Sequence, residues 1–161
     1  MEPYVSRAIQ IVKTRSDFKV IAREPIPSQT VVEICSTYQI TNKLAILMSK
    51  TNPIFEKKLI IDKAEVDKEY QIFAELGEME LTRRLDAGII SPDEYSKILA
   101  SRVNFNSLLE AKTHVIPLGN GLLYSISDYP NIVREFNSET KLCLFRTVQY
   151  IQEGTELSYF S

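Results

Sequence analysis

Leu118-Gly119-Asn120-Gly121-Leu122-Leu123-Tyr124-Ser125-Ile126-Ser127-Asp128-Tyr129-Pro130-Asn131 is the stretch on which the reading of this chain turns. Gly119-Asn120-Gly121 has the composition of a turn, because Gly and Asn enter left-handed backbone conformations at little cost. An apolar run, His114-Val115-Ile116-Pro117-Leu118, leads into it and reads as a strand. After Pro130-Asn131 two more strand patterns follow, over 131–136 and 142–148. Gln152-Glu153-Gly154-Thr155 then turns into a last one, Glu156-Leu157-Ser158-Tyr159-Phe160. The quoted stretch is therefore a loop set among short strands.

Upstream, residues 4–40 also read as strands. The runs 8–12, 18–22 and 31–35 are short and rich in Val and Ile. Arg15-Ser16-Asp17 and Pro25-Ile26-Pro27-Ser28 separate them as turns. Between the two strand blocks the apolar period becomes helical. Leu44, Leu47 and Met48 follow Thr41, which predicts an N-cap there. Val66, Tyr70 and Phe73 repeat the pattern, and Met79, Leu81 and Leu85 begin another stretch past Gly77. Ser91-Pro92-Asp93-Glu94 predicts a helix start with a capping box, ahead of a stripe of Tyr95, Ile98 and Leu99. Together these predict a single α+β domain over 1–161, with strand blocks at 4–40 and 113–161, a helical insert over about 41–112, and the strands joined in one sheet system.

Composition narrows the function. The 161 residues are 44% hydrophobic and 25% charged, an ordinary globular balance. Nineteen Lys and Arg against twenty-one Asp and Glu leave a net charge of −2, so nucleic acid is not an indicated partner. Two cysteines, Cys35 and Cys143, and one histidine, His114, exclude a zinc site of four Cys or of two Cys and two His built from this chain. No apolar run is long enough to span a bilayer, and Met1-Glu2-Pro3-Tyr4 lacks the basic-then-apolar order of a signal peptide. The expectation is a cytoplasmic protein with no membrane partner and no metal, its thiols reduced and packed as small core residues.

Ser125-Ile126-Ser127-x-x-Pro130-Asn131 resembles the Asn-His-Ser-x-x-Pro-Asn core of the SET domain, the fold of protein-lysine methyltransferases. Ile151-Gln152-Glu153-Gly154-Thr155-Glu156-Leu157 resembles that family's later Ile-x-x-Gly-Glu-Glu-Leu, and Pro25-Ile26-Pro27-Ser28-Gln29-Thr30-Val31-Val32 its early turn. The resemblance covers about 5–40 and 113–161. It implies a SET-like β-clip of small curled sheets with a helical insert, in which residues 125–131 thread beneath the C-terminal strand. It also implies S-adenosylmethionine as methyl donor and a lysine as acceptor, the amine being steered by carbonyl groups and a tyrosine hydroxyl.

Three departures bear on that chemistry. Where the resemblance places the cofactor-contacting Asn-His, the chain has Ser125 and Ile126, followed by Ser127. A hydroxyl replaces an amide's paired donor and acceptor, and Ile126 offers only its backbone. The family's early Gly-x-Gly is replaced by Phe18, Lys19 and Val20 after Asp17, placing side chains where glycine leaves room. The family's active-site tyrosine falls on Ser161, while Tyr159 lies two residues earlier, about 7 Å away along a strand. Tyr159 is the candidate catalytic residue, although a packed aromatic is the commoner reading. The resulting expectation is a divergent SET-like domain that is catalytically degenerate, needs no cofactor and binds a protein or peptide. The alternative is an S-adenosylmethionine-dependent protein-lysine methyltransferase. Glu75, Glu78 and Glu80, Lys57-Lys58 and Arg83-Arg84 read as solvated surface, and His114 as a surface or hydrogen-bonded histidine.

Overall fold

The computed structural model of the chain describes residues 1–68, 82–97 and 110–160. The chain divides into two compact units, one formed by 1–38, 53–60 and 116–161, the other by 39–52 and 61–115. Its elements are β1 (Tyr4–Val5), β2 (Ile9–Lys13), β3 (Phe18–Ala22), β4 (Val31–Ile40), α1 (Asn42–Thr51), α2 (Pro53–Lys58), β5 (Ile60–Ile61), β6 (His114–Pro117), β7 (Ser125–Ile126), β8 (Ile132–Asn137), β9 (Leu142–Thr147) and β10 (Ser158–Tyr159). Among the described residues, the expected single sheet system is instead one six-stranded sheet and two separate pairs, β2–β3 and β7–β10.

In the first unit β4 is central. Ile34 pairs with Leu144 of β9 on one edge and with Tyr4 of β1 on the other, and β8 lies beyond β9. All of these pairings are antiparallel. β9 alternates as a half-covered strand should, with Cys143, Phe145 and Thr147 buried and Leu142, Leu144 and Arg146 only partly so. Phe145 packs its ring 4.4 Å from that of Tyr124 and 6.1 Å from that of Tyr159, and all three side chains are fully buried. These aromatics are the heart of the unit.

β4 breaks its alternation. A register shift between Val31 and Glu33 puts both Val32 and Glu33 inside, the usual effect of a β-bulge. A buried carboxylate needs partners. Glu33 accepts from the Tyr124 hydroxyl at 2.6 Å and from the Asn120 backbone N–H at 2.9 Å. The turn predicted at Gly119-Asn120-Gly121 is thereby pinned to β4. Gly119 is required there: its φ is +66°, and a Cβ would lie 2.6 Å from Glu33 Oε1.

Burial raises the Glu33 carboxyl above its ordinary value of 4.5, and hydrogen bonds from Tyr124 and Asn120 oppose the shift without cancelling it. A raised carboxyl binds its proton more tightly folded than unfolded. Stability is therefore fully present below the unfolded carboxyl's range and is lost as pH rises through the folded value. Glu33→Gln removes this decline. The urea midpoint of the variant minus that of the wild type should grow from about pH 4 to pH 8; parallel profiles would refute this account of Glu33.

In the second unit, α1 starts where the spacing predicts: Thr41 Oγ1 accepts from the Leu44 N–H at 3.2 Å. The capping box forms as well, with Ser91 Oγ accepting from the Glu94 N–H at 3.2 Å and a Glu94 carboxylate oxygen from the Ser91 N–H at 3.3 Å. His114 is half-buried with Nδ1 3.0 Å from Thr113 Oγ1, and burial lowers its pKa below the usual 6.5. Arg83 and Arg84 are exposed. The predicted positions Tyr70, Phe73, Glu75, Glu78, Met79, Glu80, Leu81, Ile98, Leu99 and Ser161 lie outside the described residues. Among the described residues, no helix is long and apolar enough to cross a membrane, and no group of three or more His, Cys, Asp or Glu could hold a metal ion.

Candidate functional site

The site lies in the first unit, where β7 and β10 pair in parallel with Ser158 opposite Ser125 and Tyr159 opposite Ile126. The loop after β7 is tied to the same ribbon. The Ser127 N–H donates to the Tyr159 carbonyl at 2.9 Å and the Asn131 N–H to the Ser158 carbonyl at 3.0 Å. The Asn131 side chain then closes the clasp, donating through Nδ2 to the Glu156 carbonyl at 2.9 Å and accepting through Oδ1 from the Ser158 N–H at 2.9 Å. Asn uses both halves of its amide here, a donor and an acceptor on one short side chain. The segment 125–131 and the C-terminal strand thus lie side by side.

β3 reaches the ribbon from another direction. The Leu157 N–H donates to the Val20 carbonyl at 2.9 Å, and the Gly154 N–H to the Ala22 carbonyl at 2.7 Å. Gly154 has a φ of +82°, the left-handed turn that lets the chain reverse before Glu156. Val20 is fully buried, whereas Phe18 is 48% exposed at the tip of the β2–β3 hairpin. Ile126 and Ser127 are half-buried, and Ser127 Oγ accepts from the Tyr129 N–H at 3.0 Å.

Glu156 joins two of the candidate positions. Its Oε2 lies 3.3 Å from Lys19 Nζ, and its Oε1 accepts from the Ser125 hydroxyl. Lys19, Ser125 and Glu156 so form one polar bridge over the ribbon, with Phe18 standing outside it. The ion pair is partly exposed, so water screens it and its contribution to stability is below about 1 kcal/mol. What it does is occupy the polar atoms. The chain's one histidine, His114, belongs to the second unit, where it is bonded to Thr113.

Tyr159 is fully buried. Its ring lies under the Arg134 guanidinium, 4.7 Å from the ring centre, and its hydroxyl accepts from Arg134 Nη1 at 3.2 Å. Arg134 also donates to the Lys58 carbonyl at 2.7 Å and to the Leu59 carbonyl at 3.4 Å, satisfying the open end of α2. Burial raises the Tyr159 hydroxyl above its ordinary value of 10, and Arg134 pulls the other way. Lys58 in turn donates to the Leu122 carbonyl, and burial lowers its ammonium below the ordinary 10.5 against the opposing pull of Asp17.

Arg134 and Lys58 were not legible as site residues. Arg134 sits mid-strand and Lys58 in a basic pair, and neither pattern signals a partner. Glu156 was visible as part of the Gly-x-Glu-Leu motif, but its bond to Ser125 depends on the parallel pairing of β7 and β10.

No family model and no curated protein matches the chain in sequence. Solved structures match it in fold. A Plasmodium falciparum protein proposed to be a histone methyltransferase is 18% identical with a TM-score of 0.51, over 96% of this chain and 95% of that one. The Neurospora SET domain protein DIM-5, a histone lysine methyltransferase, is 16% identical with a TM-score of 0.47, over 94% of this chain and 51% of that one. The chain therefore spans about half the length of the Neurospora chain. The fold is α+β and SET-like, with the small curled sheets of that architecture, in a divergent sequence.

Proposed function

We propose that the chain is a SET-like domain that has lost methyl transfer and works by binding a protein or peptide. The observation that carries this reading is the Lys19–Glu156–Ser125 bridge. It ties up, within the protein, the side-chain groups at positions 19 and 125, where the resemblance would have a cofactor bind. Ile126 adds no polar side chain, and the Tyr159 hydroxyl is turned to Arg134. A nucleoside entering here would have to break the bridge, and the hydroxyl of Ser125 and the aliphatic side chain of Ile126 offer it no paired amide donor and acceptor in exchange. The residues present therefore do not fit S-adenosylmethionine well. An extended peptide laid along a sheet edge relies on main-chain hydrogen bonds and asks nothing of that bridge.

Thermal unfolding with S-adenosylmethionine and S-adenosylhomocysteine tests the loss of the cofactor. A ligand at 100 times its Kd adds about 2.7 kcal/mol to stability, which a melting curve resolves. The expected result is no shift. A shift would overturn the loss of the cofactor, and the alternative, a protein-lysine methyltransferase, would then be tested by whether Tyr159→Phe reduces methylation of a substrate. The binding half is tested with a display library of extended lysine-bearing peptides. Binders should emerge whose affinity S-adenosylhomocysteine leaves unchanged, and a library yielding none overturns that half.

A further inference from the structure

Cys35 on β4 and Cys143 on β9 are direct partners in the antiparallel register. Opposed residues of an antiparallel pair point to the same face, with Cα atoms about 4.5 or 5.5 Å apart depending on the pair type. Both spacings fall within the roughly 4.4–6.8 Å that a disulfide spans. Both thiols are free and both are buried, at 4% and 0% exposure. They are not equally shielded. Cys35 helps to line a groove of about 390 Å³ beside β4, with Tyr4, Val5, Leu118 and Gly119 among its other walls. Cys143 does not line it.

We propose that Cys35 and Cys143 are a dithiol that small-molecule disulfides such as oxidised glutathione convert to a cross-strand disulfide, with Cys35 attacking the oxidant in the groove and Cys143 resolving. In the first step the Cys35 thiolate bonds to one sulfur of the oxidant, whose S–S bond breaks to release one thiolate. In the second the Cys143 thiolate bonds to Cys35 Sγ, and the mixed disulfide breaks to release the second. The protein loses two protons and two electrons, and the oxidant becomes two thiols. The sulfurs need only close on one another, because the register already holds them opposite.

Each step needs a thiolate, and contact with Cys35 together with burial pushes the Cys143 thiol up from its ordinary value of 9.0. Resolution should therefore quicken as pH rises. The thiols adjoin the buried Tyr124 and Glu33 side chains, and Arg134 and Tyr159 also bear on Cys143. Glu33 opposes the second thiolate and Arg134 favours it.

The test uses the intact wild-type chain incubated with oxidised glutathione, quenched in acid and unfolded with an alkylating agent. The expected product is a monomer lighter by two hydrogens that takes up no alkyl group and gives a Cys35–Cys143 linked peptide. It should form faster at pH 8.5 than at pH 7. Its urea midpoint should be higher and return on treatment with dithiothreitol. Cys143→Ser should instead stop at the glutathione adduct on Cys35. Two alkylated thiols after prolonged incubation, a wild-type chain held as the adduct, or disulfides between chains would each overturn the proposal, whatever the variant's folding.

Discussion

Phe145→Ala is expected to destabilise the protein by about 3–5 kcal/mol, the range for truncating a buried aromatic. Among the described residues Phe145 is the ring that packs against both Tyr124 and Tyr159, so its loss opens a void between β9, Tyr124 and the C-terminal ribbon at once. The cavity would be lined on one side by Tyr124, whose hydroxyl is held by Glu33, and on the other by Tyr159, held by Arg134. Neither tyrosine can swing in to fill the space without breaking its hydrogen bond. Incomplete collapse places the cost toward the upper part of the range. Urea denaturation gives the number, and a loss below about 1 kcal/mol would show that the aromatic cluster is not the core it is taken to be. Phe145→Leu, which keeps much of the volume, should recover more than half of the loss.

The second large effect belongs to Asn131→Ala, expected to cost about 2–4 kcal/mol. Each of the two bonds it removes leaves a backbone group of the ribbon without its partner, at about 1–3 kcal/mol apiece. The Ser158 N–H is buried, so water does not replace the lost acceptor readily. Hydrogen exchange should read the effect locally, with amides at 156–159 and 125–127 losing protection before those of β9. Asn131→Asp separates the two halves of the clasp, keeping an acceptor for Ser158 and losing the donor to Glu156. An unchanged exchange pattern in Asn131→Ala would mean that the backbone ladder alone fastens the ribbon.

Much of this fold could be read from the residues. Val and Ile at β spacing marked β2, β3 and β8, the apolar run Leu142-Cys143-Leu144-Phe145 marked β9, and the helix caps at Thr41 and Ser91 follow from local chemistry that tertiary structure did not overrule. The Pro130-Asn131 and Gly154-x-Glu156-Leu157 spacings resembled a fold in which those segments meet, and they do meet. What could not be read were partnerships across long separations. Glu33 looks like the outward residue of an alternating strand until the bulge turns it inward. Cys35 and Cys143 look like two unrelated small residues until the register sets them opposite one another. Lys19, Ser125 and Glu156 are ordinary polar residues, each from a different part of the chain, and only the meeting of β3, β7 and β10 makes them a group. Periodicity reports which face a residue is on; it carries no information about who faces it.

The pairing of β4 with β9 has a kinetic consequence. Its partners, such as Val31 with Arg146, are separated by most of the chain, so this seam can form only after a long loop has closed. The β2–β3 and β8–β9 hairpins, being local, can zip within microseconds, while so non-local a sheet belongs to the millisecond-to-second class of folders. The entropic charge for that closure grows only logarithmically, about 0.6 kcal/mol for each doubling of loop length. Residues inserted at the exposed turn around Gly88 would therefore lengthen that loop with little change in equilibrium stability.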